Sequence, residues 1–417
     1  MHFFKRNIDY IVTFFIEFLI VLLSFLVYRI ASEYMTEYGF SEYTLSRRSI
    51  SFLQPLLMVG LGVAVPRYIS IYSNRNSIFP TGLLLLVISG FVMLSVIGFN
   101  AAYFAKIFFG SVNYSSYIFP LVLLLFGYGI HAIIYGFLRG KRNIYLSNFV
   151  QLIHIGILPV TILLYTNQVK ELLYINSFLL LISCIIFIVI TVKKYHPKLK
   201  VNKLIADTKT MLRYGLPRVL GDFSLLALIT LPSYFVLNFQ QDLLLSGDVA
   251  YSMTLINLVG TAFGPLSVVL LPEIAEFSRD KKLHLIKQRF YRFIFMSISL
   301  TIVGYLIYYF LSDYILTILL GSNYRPSIEE ISIIVLRGSF GYALYIVLRS
   351  FLDAIKVKAI NSFNLTVVLI IYLSLITACY YLNRSFNDYL YAFVFCINLL
   401  GLLTLIQAFR AINSLKG

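Results

Sequence analysis

Long apolar runs alternate with short polar segments along the whole chain, and this pattern is its main structural signal. A helix of about 20 apolar residues crosses the ~30 Å hydrocarbon core of a bilayer. A window of that length finds about twelve such runs in the 417 residues. The pattern predicts an all-α polytopic membrane protein with transmembrane helices near residues 8–30, 44–70, 80–103, 116–138, 145–166, 171–192, 214–238, 248–274, 290–312, 328–351, 360–383 and 388–411.

The composition agrees with a membrane protein. Hydrophobic residues make up 59% of the chain and charged residues 12%, whereas about 25% of the residues in a soluble domain are charged. The connecting segments are short, so the sequence predicts no separate soluble domain.

The distribution of Lys and Arg predicts the orientation of the helices. Segments on the side of the N-terminus carry 23 of the 34 basic residues, and segments on the other side carry five, namely Arg29, Lys106, Lys170, Arg325 and Arg384. Basic loops stay in the cytoplasm, so we expect a cytoplasmic (plasma) membrane protein with both termini cytoplasmic. The same residues account for most of the net charge of +16. They are expected to contact anionic membrane lipids, so no nucleic-acid partner is expected.

Two pairs of similar segments indicate an internal duplication. The segment `YGFLRG` at 135–140 matches `YIVLRS` at 345–350, and Tyr43 begins a segment that parallels one beginning at Tyr251. The offsets are 210 and 208 residues. A shared offset across an even number of helices predicts a parallel repeat of two six-helix lobes. We expect lobes at 1–195 and 214–417, joined by a basic cytoplasmic linker at 196–213.

Six arginines fall inside the predicted helices rather than in loops, namely Arg47, Arg48, Arg67, Arg218, Arg337 and Arg349. A charge at the centre of a transmembrane helix costs about 2.5–3.5 kcal/mol. Arg218 and Asp222 have the i, i+4 spacing of an ion pair, with Pro217 expected in the first helical turn, and Arg349 and Asp353 repeat this spacing. The arginines allow two interpretations. The pairs anchor helix ends, or the arginines line a wet cavity that binds an anion, which Arg contacts through two parallel hydrogen bonds.

Other polar residues at membrane depth are few. Glu17 near the middle of the first helix is either a proton or cation coupling site or a neutral carboxyl bonded to a neighbouring helix. His131 and His154 are expected to be core residues. The three cysteines lack metal-ligand spacing, and neither a metal nor a cofactor is predicted.

Three segments resemble a known family. The segments `YGLPRVLGDF` at 214–223, `GFSEYTLSRRSISFLQPLLMVGLGVAVPRYIS` at 39–70 and `YGFLRGKRN` at 135–143 are similar to the polysaccharide-biosynthesis (O-antigen type) oligosaccharide flippases. That family belongs to the multidrug/oligosaccharidyl-lipid/polysaccharide exporter superfamily.

This resemblance implies a two-lobed transporter that moves a lipid-linked anionic oligosaccharide, a polyprenyl-diphosphate-linked sugar, to the outer leaflet. Whether a proton, Na⁺ or no ion drives this transport stays open at the level of the sequence. The residues expected at the anionic headgroup are Arg47, Arg48, Arg67, Arg218 and Arg337, with Asp222 holding Arg218.

Alternatives from other classes remain. A membrane-bound glycosyltransferase or polymerase would need catalytic carboxylates and a large outer loop, so no enzyme is expected. A multidrug exporter of organic cations shares the topology but would favour an acidic cavity. A peptidoglycan-precursor flippase also carries an anionic lipid-linked sugar, although such transporters often have more than twelve helices.

Overall fold

The computed structural model of the chain describes residues 2–72, 76–199, 201–321, 324–355 and 360–416. Four basic residues used above for the orientation, Arg75, Lys200, Lys356 and Lys358, lie outside this part. Within it, the secondary structure is helical, as predicted. The helices are α1 (His2–Tyr34), α2 (Glu37–Met58), α3 (Leu61–Ile71), α4 (Ile78–Phe99), α5 (Ala101–Phe109), α6 (Ser115–Gly140), α7 (Ile144–Gln151), α8 (Leu158–Leu163), α9 (Val169–Tyr195), α10 (Val201–Phe235), α11 (Leu243–Arg279), α12 (Leu283–Leu320), α13 (Pro326–Leu336), α14 (Ser339–Ile355), α15 (Ile360–Tyr381) and α16 (Phe386–Asn413).

The predicted number of transmembrane helices is confirmed. Ten spans in the described residues are long and apolar enough to cross a membrane, and two bent pairs, α2 with α3 and α13 with α14, bring the number to twelve. The bends are 50° and 49°. All twelve overlap the apolar runs of the sequence.

Several helices begin earlier than predicted, and two of these starts change the position of residues singled out in the sequence. Helix α2 begins at Glu37, seven residues before the expected start, so Arg47 and Arg48 lie about three turns inside it. Helix α10 begins at Val201, so most of the expected linker is helical and Pro217 lies in the helix interior instead of its first turn. The apolar window ends where lysines begin, but a helix can continue through lysines because they are good helix formers.

The chain forms two compact units, in keeping with its two-lobed fold. The first contains Met1–Val219 with Ile318–Asn323, and the second contains Leu220–Thr317 with Tyr324–Gly417.

Helix α6 is the central helix of the first unit. It packs against α9, α3, α4, α7 and α2. The approach of α3 is close, because a Cβ on Gly136 would lie 3.0 Å from Pro66 Cδ and a Cβ on Gly140 would lie 2.7 Å from Ile69 Cβ. Small residues of this kind let transmembrane helices pack backbone to backbone.

Helix α14 holds the equivalent place in the second unit. It packs against α16, α11 and α15, and a Cβ on Gly401 would lie 2.4 Å from Gly341 O. Helices α6 and α14 carry the two matching Tyr and Arg segments of the sequence repeat, so the repeat marks the central helix of each unit.

Candidate functional site

The second transmembrane span is broken where α2 meets α3. Val59 and Gly60 both adopt left-handed backbone conformations, with φ of 48° and 78°. Pro55, four residues earlier, has no N–H to donate in the last turns of α2. The span therefore bends, and α3 carries Arg67 in a direction that a straight helix would not give.

Gly60 lies in backbone contact with Gly215 of α10. A Cβ on Gly60 would lie 2.4 Å from the carbonyl carbon of Gly215, and a Cβ on Gly215 would lie 2.9 Å from Gly60 O. No real Cβ tolerates the first distance, and glycine is also the residue that adopts φ of 78° without strain. This contact brings α3 beside Tyr214, the residue before Gly215.

Tyr214 lies against two arginine side chains. The Arg67 guanidinium carbon is 4.4 Å from the Tyr214 ring centroid, and Arg67 Nη1 donates to Tyr214 Oη at 3.2 Å. The Arg218 guanidinium carbon is 3.8 Å from the same centroid, and Arg218 Nη1 donates to Tyr214 O at 2.8 Å. These three residues, called here the Arg–Tyr–Arg cluster, all belong to the first unit.

Further tyrosines extend the cluster along α3. The Tyr68 ring meets Tyr214 edge to face at 5.8 Å between centroids, and Tyr72 stacks on Tyr68 at 6.3 Å. Aromatic faces of this kind stack on sugar-like or planar apolar surfaces and also hold cations. The cluster therefore combines two fixed positive charges with a row of aromatic rings.

The cluster can bind an anion. The hydrogen bond from Arg67 to Tyr214 uses one of the five N–H donors of its guanidinium, and the Arg67 side chain is exposed. A phosphate group accepts paired hydrogen bonds from a guanidinium better than from a Lys ammonium. The two predicted residues that the structure brings together, Arg67 and Arg218, thus form a site suited to a phosphate or diphosphate.

The arginines of α2 lie elsewhere in the first unit. Arg47 Nη1 donates to Tyr43 Oη at 3.1 Å, and its guanidinium carbon is 4.8 Å from the centroid of Tyr28. Arg48 is buried. Both arginines lie about three turns from the start of α2, on the part of the span before the break.

Arg337 belongs to the second unit, between α13 and α14. It is exposed, its Nε donates to Tyr305 Oη at 3.3 Å, and its guanidinium carbon is 5.9 Å from the Tyr391 ring centroid. Asn398 Nδ2 donates to the Arg337 carbonyl at 3.1 Å. The pattern of an arginine on tyrosine rings recurs here, at the bend of the other broken span.

The two predicted ion pairs, Arg218–Asp222 of α10 and Arg349–Asp353 of α14, differ in their contacts. Asp222 is exposed, one turn after Arg218, and its pairing with Arg218 stays a prediction. In the second unit, Asn361 Nδ2 donates to Asp353 Oδ1 at 2.8 Å and to Arg349 O at 3.1 Å. The end of α14 is thereby bonded to α15.

Glu17 of α1 is hydrogen bonded to the neighbouring helix α7. Gln151 Nε2 lies 3.2 Å and 3.1 Å from the two carboxylate oxygens of Glu17. Nearby, Asn148 joins Thr13 and Arg139, with Asn148 Nδ2 to Thr13 Oγ1 at 3.3 Å and Arg139 Nη2 to Asn148 Oδ1 at 2.9 Å. A polar network therefore links α1, α6 and α7 inside the first unit.

Sequence reasoning missed three features of these sites. It did not identify Tyr214 as the residue between two arginines, although the Tyr214–Arg218 spacing of four is a signal for a helical contact. It did not identify Gly60 and Gly215 as a contact, because nothing in the chain links positions 155 residues apart. It also treated His131 and His154 as separate core residues, whereas their rings touch.

Comparison with known proteins places the chain in a family. A family model described as "Polysaccharide biosynthesis protein" matches residues 7–278, which include all three residues of the Arg–Tyr–Arg cluster and helix α6. No curated protein matches the chain.

Solved structures show the same fold. The inward-facing conformation of a multidrug resistance MATE family transporter of the MOP superfamily aligns with a TM-score of 0.70, 13% identity, and coverage of 95% of each chain. The outward-facing conformation of such a transporter aligns with a TM-score of 0.66, 12% identity, and coverage of 97% and 94%. At these identities the similarity concerns the fold alone. With the family match over most of its length, the chain belongs to the polysaccharide biosynthesis protein family and is a multi-pass membrane protein that shares its fold with these MATE family transporters.

Proposed function

We propose that this protein is a flippase that moves polyprenyl-diphosphate-linked oligosaccharide repeat units across the cytoplasmic membrane by alternating access, for surface polysaccharide biosynthesis. The observation that carries the proposal is the Arg–Tyr–Arg cluster. Its members come from two of the segments that resemble such flippases, and glycine contacts hold them together.

The chemistry of the cluster suits the diphosphate part of such a substrate. A diphosphate spreads its negative charge over several oxygens. The two guanidiniums that lie against the Tyr214 ring can each donate paired hydrogen bonds to it. Hydrogen bonds to charged groups contribute about 1.5–3 kcal/mol each. The tyrosine rings beside the cluster offer flat surfaces to the sugar.

The position of the cluster agrees with the loading side. Arg67 lies one turn before the end of α3, and the segment after α3 is on the side that the charge distribution predicts to be cytoplasmic. The flippases that this chain resembles take their substrate from the cytoplasmic leaflet, so the headgroup would meet Arg67 and Arg218 first.

The other arginines would act later in the same proposal. Arg47 and Arg48, at the far part of the broken span, and Arg337, at the bend of the other, would contact the headgroup as it crosses. Asp222 would hold Arg218, and Glu17 would take part in ion coupling.

A translocation assay tests this proposal. The purified protein is placed in liposomes with a short-chain lipid-diphosphate sugar in the inner leaflet, and a sugar-cleaving enzyme added outside scores arrival. We expect protein-dependent cleavage, reduced about tenfold or more by Arg67→Ala and by Arg218→Ala, because each removes at least one charge-assisted contact. Arg410→Ala, at the end of α16, is the matched control. Equal rates in all four proteins would reject the cluster as the headgroup site.

A double variant separates a binding role of Arg218 from an anchoring role. If Arg218 and Asp222 only neutralise each other, removing both is milder than removing either, and transport follows protein abundance. If Arg218 binds the headgroup, the double variant stays inactive at normal abundance. We expect the second result.

A further inference from the structure

Two histidines of the first unit are in contact at membrane depth. His131 of α6 is 8% exposed, and His154 of the segment between α7 and α8 is fully buried. Their Nδ1 atoms are 3.0 Å apart, with ring centroids at 5.1 Å. Both lie within spans long enough to cross a bilayer. Ionisable residues inside a membrane are rare and usually have a functional role.

The contact between the two rings requires a single proton. A neutral imidazole has one N–H and one nitrogen lone pair, so one Nδ1 donates a hydrogen and the other Nδ1 accepts it. If the accepting nitrogen gains a proton, two N–H groups face each other at 3.0 Å, and the contact breaks. The protonation of the pair is therefore linked to the separation of His131 and His154.

The helix segment that carries His154 departs from regular α-helical geometry. Residues Leu152–Ile157 form a π-helical turn, a distortion that is often found at functional sites. His154 Nε2 is 2.8 Å from Ser183 Oγ of α9, and either tautomer can form this bond. A Cβ on Gly156 would lie 2.7 Å from Leu23 Cδ1, so a shift of the π-turn reaches α1 directly.

Charged and titratable groups surround the pair on three elements. On α6, Tyr135 stacks on His131 at 5.9 Å and lies within electrostatic range of Arg139 and Glu17. On α9, Cys184 lies against the Gly127 carbonyl. On α1, Glu17 bonds to Gln151, which is three residues before His154 and on the same side of the helix. Glu17 is thus a carboxylate that could balance a positive charge on the pair.

We infer that His131 and His154 form the proton-binding site through which a proton gradient drives transport, with Glu17 as the balancing carboxylate. The inference rests on the proposed function for its substrate. One proton binds the lone pair of the accepting Nδ1, separates α6 from the π-turn, and is released unchanged on the other side of the membrane. No covalent bond other than N–H forms or breaks.

The first experiment measures the equilibrium distribution of a short-chain lipid-diphosphate sugar between the leaflets of proteoliposomes, with and without an imposed pH gradient. One coupled proton shifts this distribution by up to about tenfold for each unit of pH difference. We expect such a shift in the unmodified protein and in His284→Gln, an exposed histidine that serves as the matched control. His131→Gln and His154→Gln should show an even distribution at every gradient, and Glu17→Gln a reduced shift. An undiminished shift in either pair variant would overturn the inference.

The second experiment does not need a transported substrate. Magic-angle-spinning NMR of the protein labelled with ¹⁵N-histidine, in lipid, reports the pair itself. We expect a coupling between the two Nδ1 nuclei across a hydrogen bond at neutral pH, lost in one step on acidification. Two histidines that titrate independently, without the coupling, would overturn the proton site even if the sugar is translocated. If the sugar is not translocated but the coupling is present, the proposed function fails and the proton site stands.

Discussion

Two arginine sites in this protein show different ways of keeping a guanidinium in an apolar helical bundle. In the second unit, Arg325 forms a salt bridge with Asp248, which is 1% exposed, and also donates to Leu244 O at 3.0 Å, while Ser327 Oγ donates to Asp248 Oδ2 at 2.5 Å. In the first unit, Arg67 and Arg218 lie on the ring of Tyr214.

The two sites differ in whether a carboxylate neutralises the positive charge of the arginine. A buried carboxylate neutralises Arg325, so that site fastens the start of α13 to α11 and offers little to a ligand. An aromatic face stabilises a cation without neutralising it, so the Arg–Tyr–Arg cluster keeps its charge for an anion. The partner of an arginine in a membrane protein therefore indicates its role better than its depth in the bilayer does.

The largest effect that would sharpen this comparison is the removal of the buried carboxylate. Asp248→Ala leaves the Arg325 charge uncompensated, and we expect a loss of about 3–5 kcal/mol in the free energy of unfolding, measured by circular dichroism melts in detergent. Asp313→Ala, which removes an exposed acceptor of Tyr324, is the matched control and should cost about 1 kcal/mol or less. Equal losses in the two variants would remove the distinction between a neutralised and an open site.

The next effect concerns the contact that builds the cluster. Gly60→Ala forces a left-handed conformation on alanine and drives a Cβ into the backbone of Gly215, so we expect a cost of at least about 1–3 kcal/mol together with loss of transport. Gly62→Ala is the control, because its Cβ would have 3.6 Å to Met58 Cε, and in a helix it should stabilise by up to about 1 kcal/mol. Normal stability and transport in Gly60→Ala would show that α3 and α10 do not need this contact.

A smaller effect separates the ring of Tyr214 from its hydroxyl. Tyr214→Phe keeps the surface under both guanidiniums and loses one hydrogen bond, worth about 1 kcal/mol or roughly fivefold in transport. Tyr214→Ala removes both cation–π contacts, each about 0.5–2 kcal/mol, and should reduce transport further. Translocation rates at matched abundance give the order. A phenylalanine variant as impaired as the alanine variant would assign the role to the hydroxyl.

The smallest effect is that of salt. The Debye length falls from about 10 Å at 0.1 M to about 3 Å at 1 M, so salt should weaken binding of an anionic headgroup to the exposed cluster by a few fold. The same change in salt should leave the contribution of the buried Asp248–Arg325 pair to the unfolding temperature nearly unaltered. A transport KM independent of salt would argue against an electrostatic headgroup site.

The fold was accessible from the sequence because the bilayer fixes the length of an apolar helix. All twelve spans overlap their predicted runs, and the repeated Tyr and Arg segments mark the central helices α6 and α14 of the two units. The start of α10 at Val201 was missed because hydropathy reports where a membrane begins, not where a helix begins. The fold class and family were thus predictable, and helix ends outside the membrane were not.

The site was accessible only in part. Arg67 and Arg218 could be selected from the sequence because a charge inside a membrane costs free energy. Their contact with Tyr214 depends on the Gly60–Gly215 contact, which follows from tertiary packing. His131 and His154 are 23 residues apart and meet because α6 and the π-turn are packed side by side. Single residues of unusual type can be selected from a sequence, whereas the pairs that they form need the structure.

A competition between two substrates decides whether this protein is a flippase for lipid-linked sugars. Proteoliposomes containing this protein are given a short-chain lipid-diphosphate sugar in one leaflet and a fluorescent organic cation in the lumen, and the appearance of each on the other side is followed. We expect translocation of the lipid-linked sugar, lost when Arg67 and Arg218 are both replaced by Ala, and no movement of the cation. Export of the cation without translocation of the sugar would contradict it and would identify a multidrug exporter with the same fold.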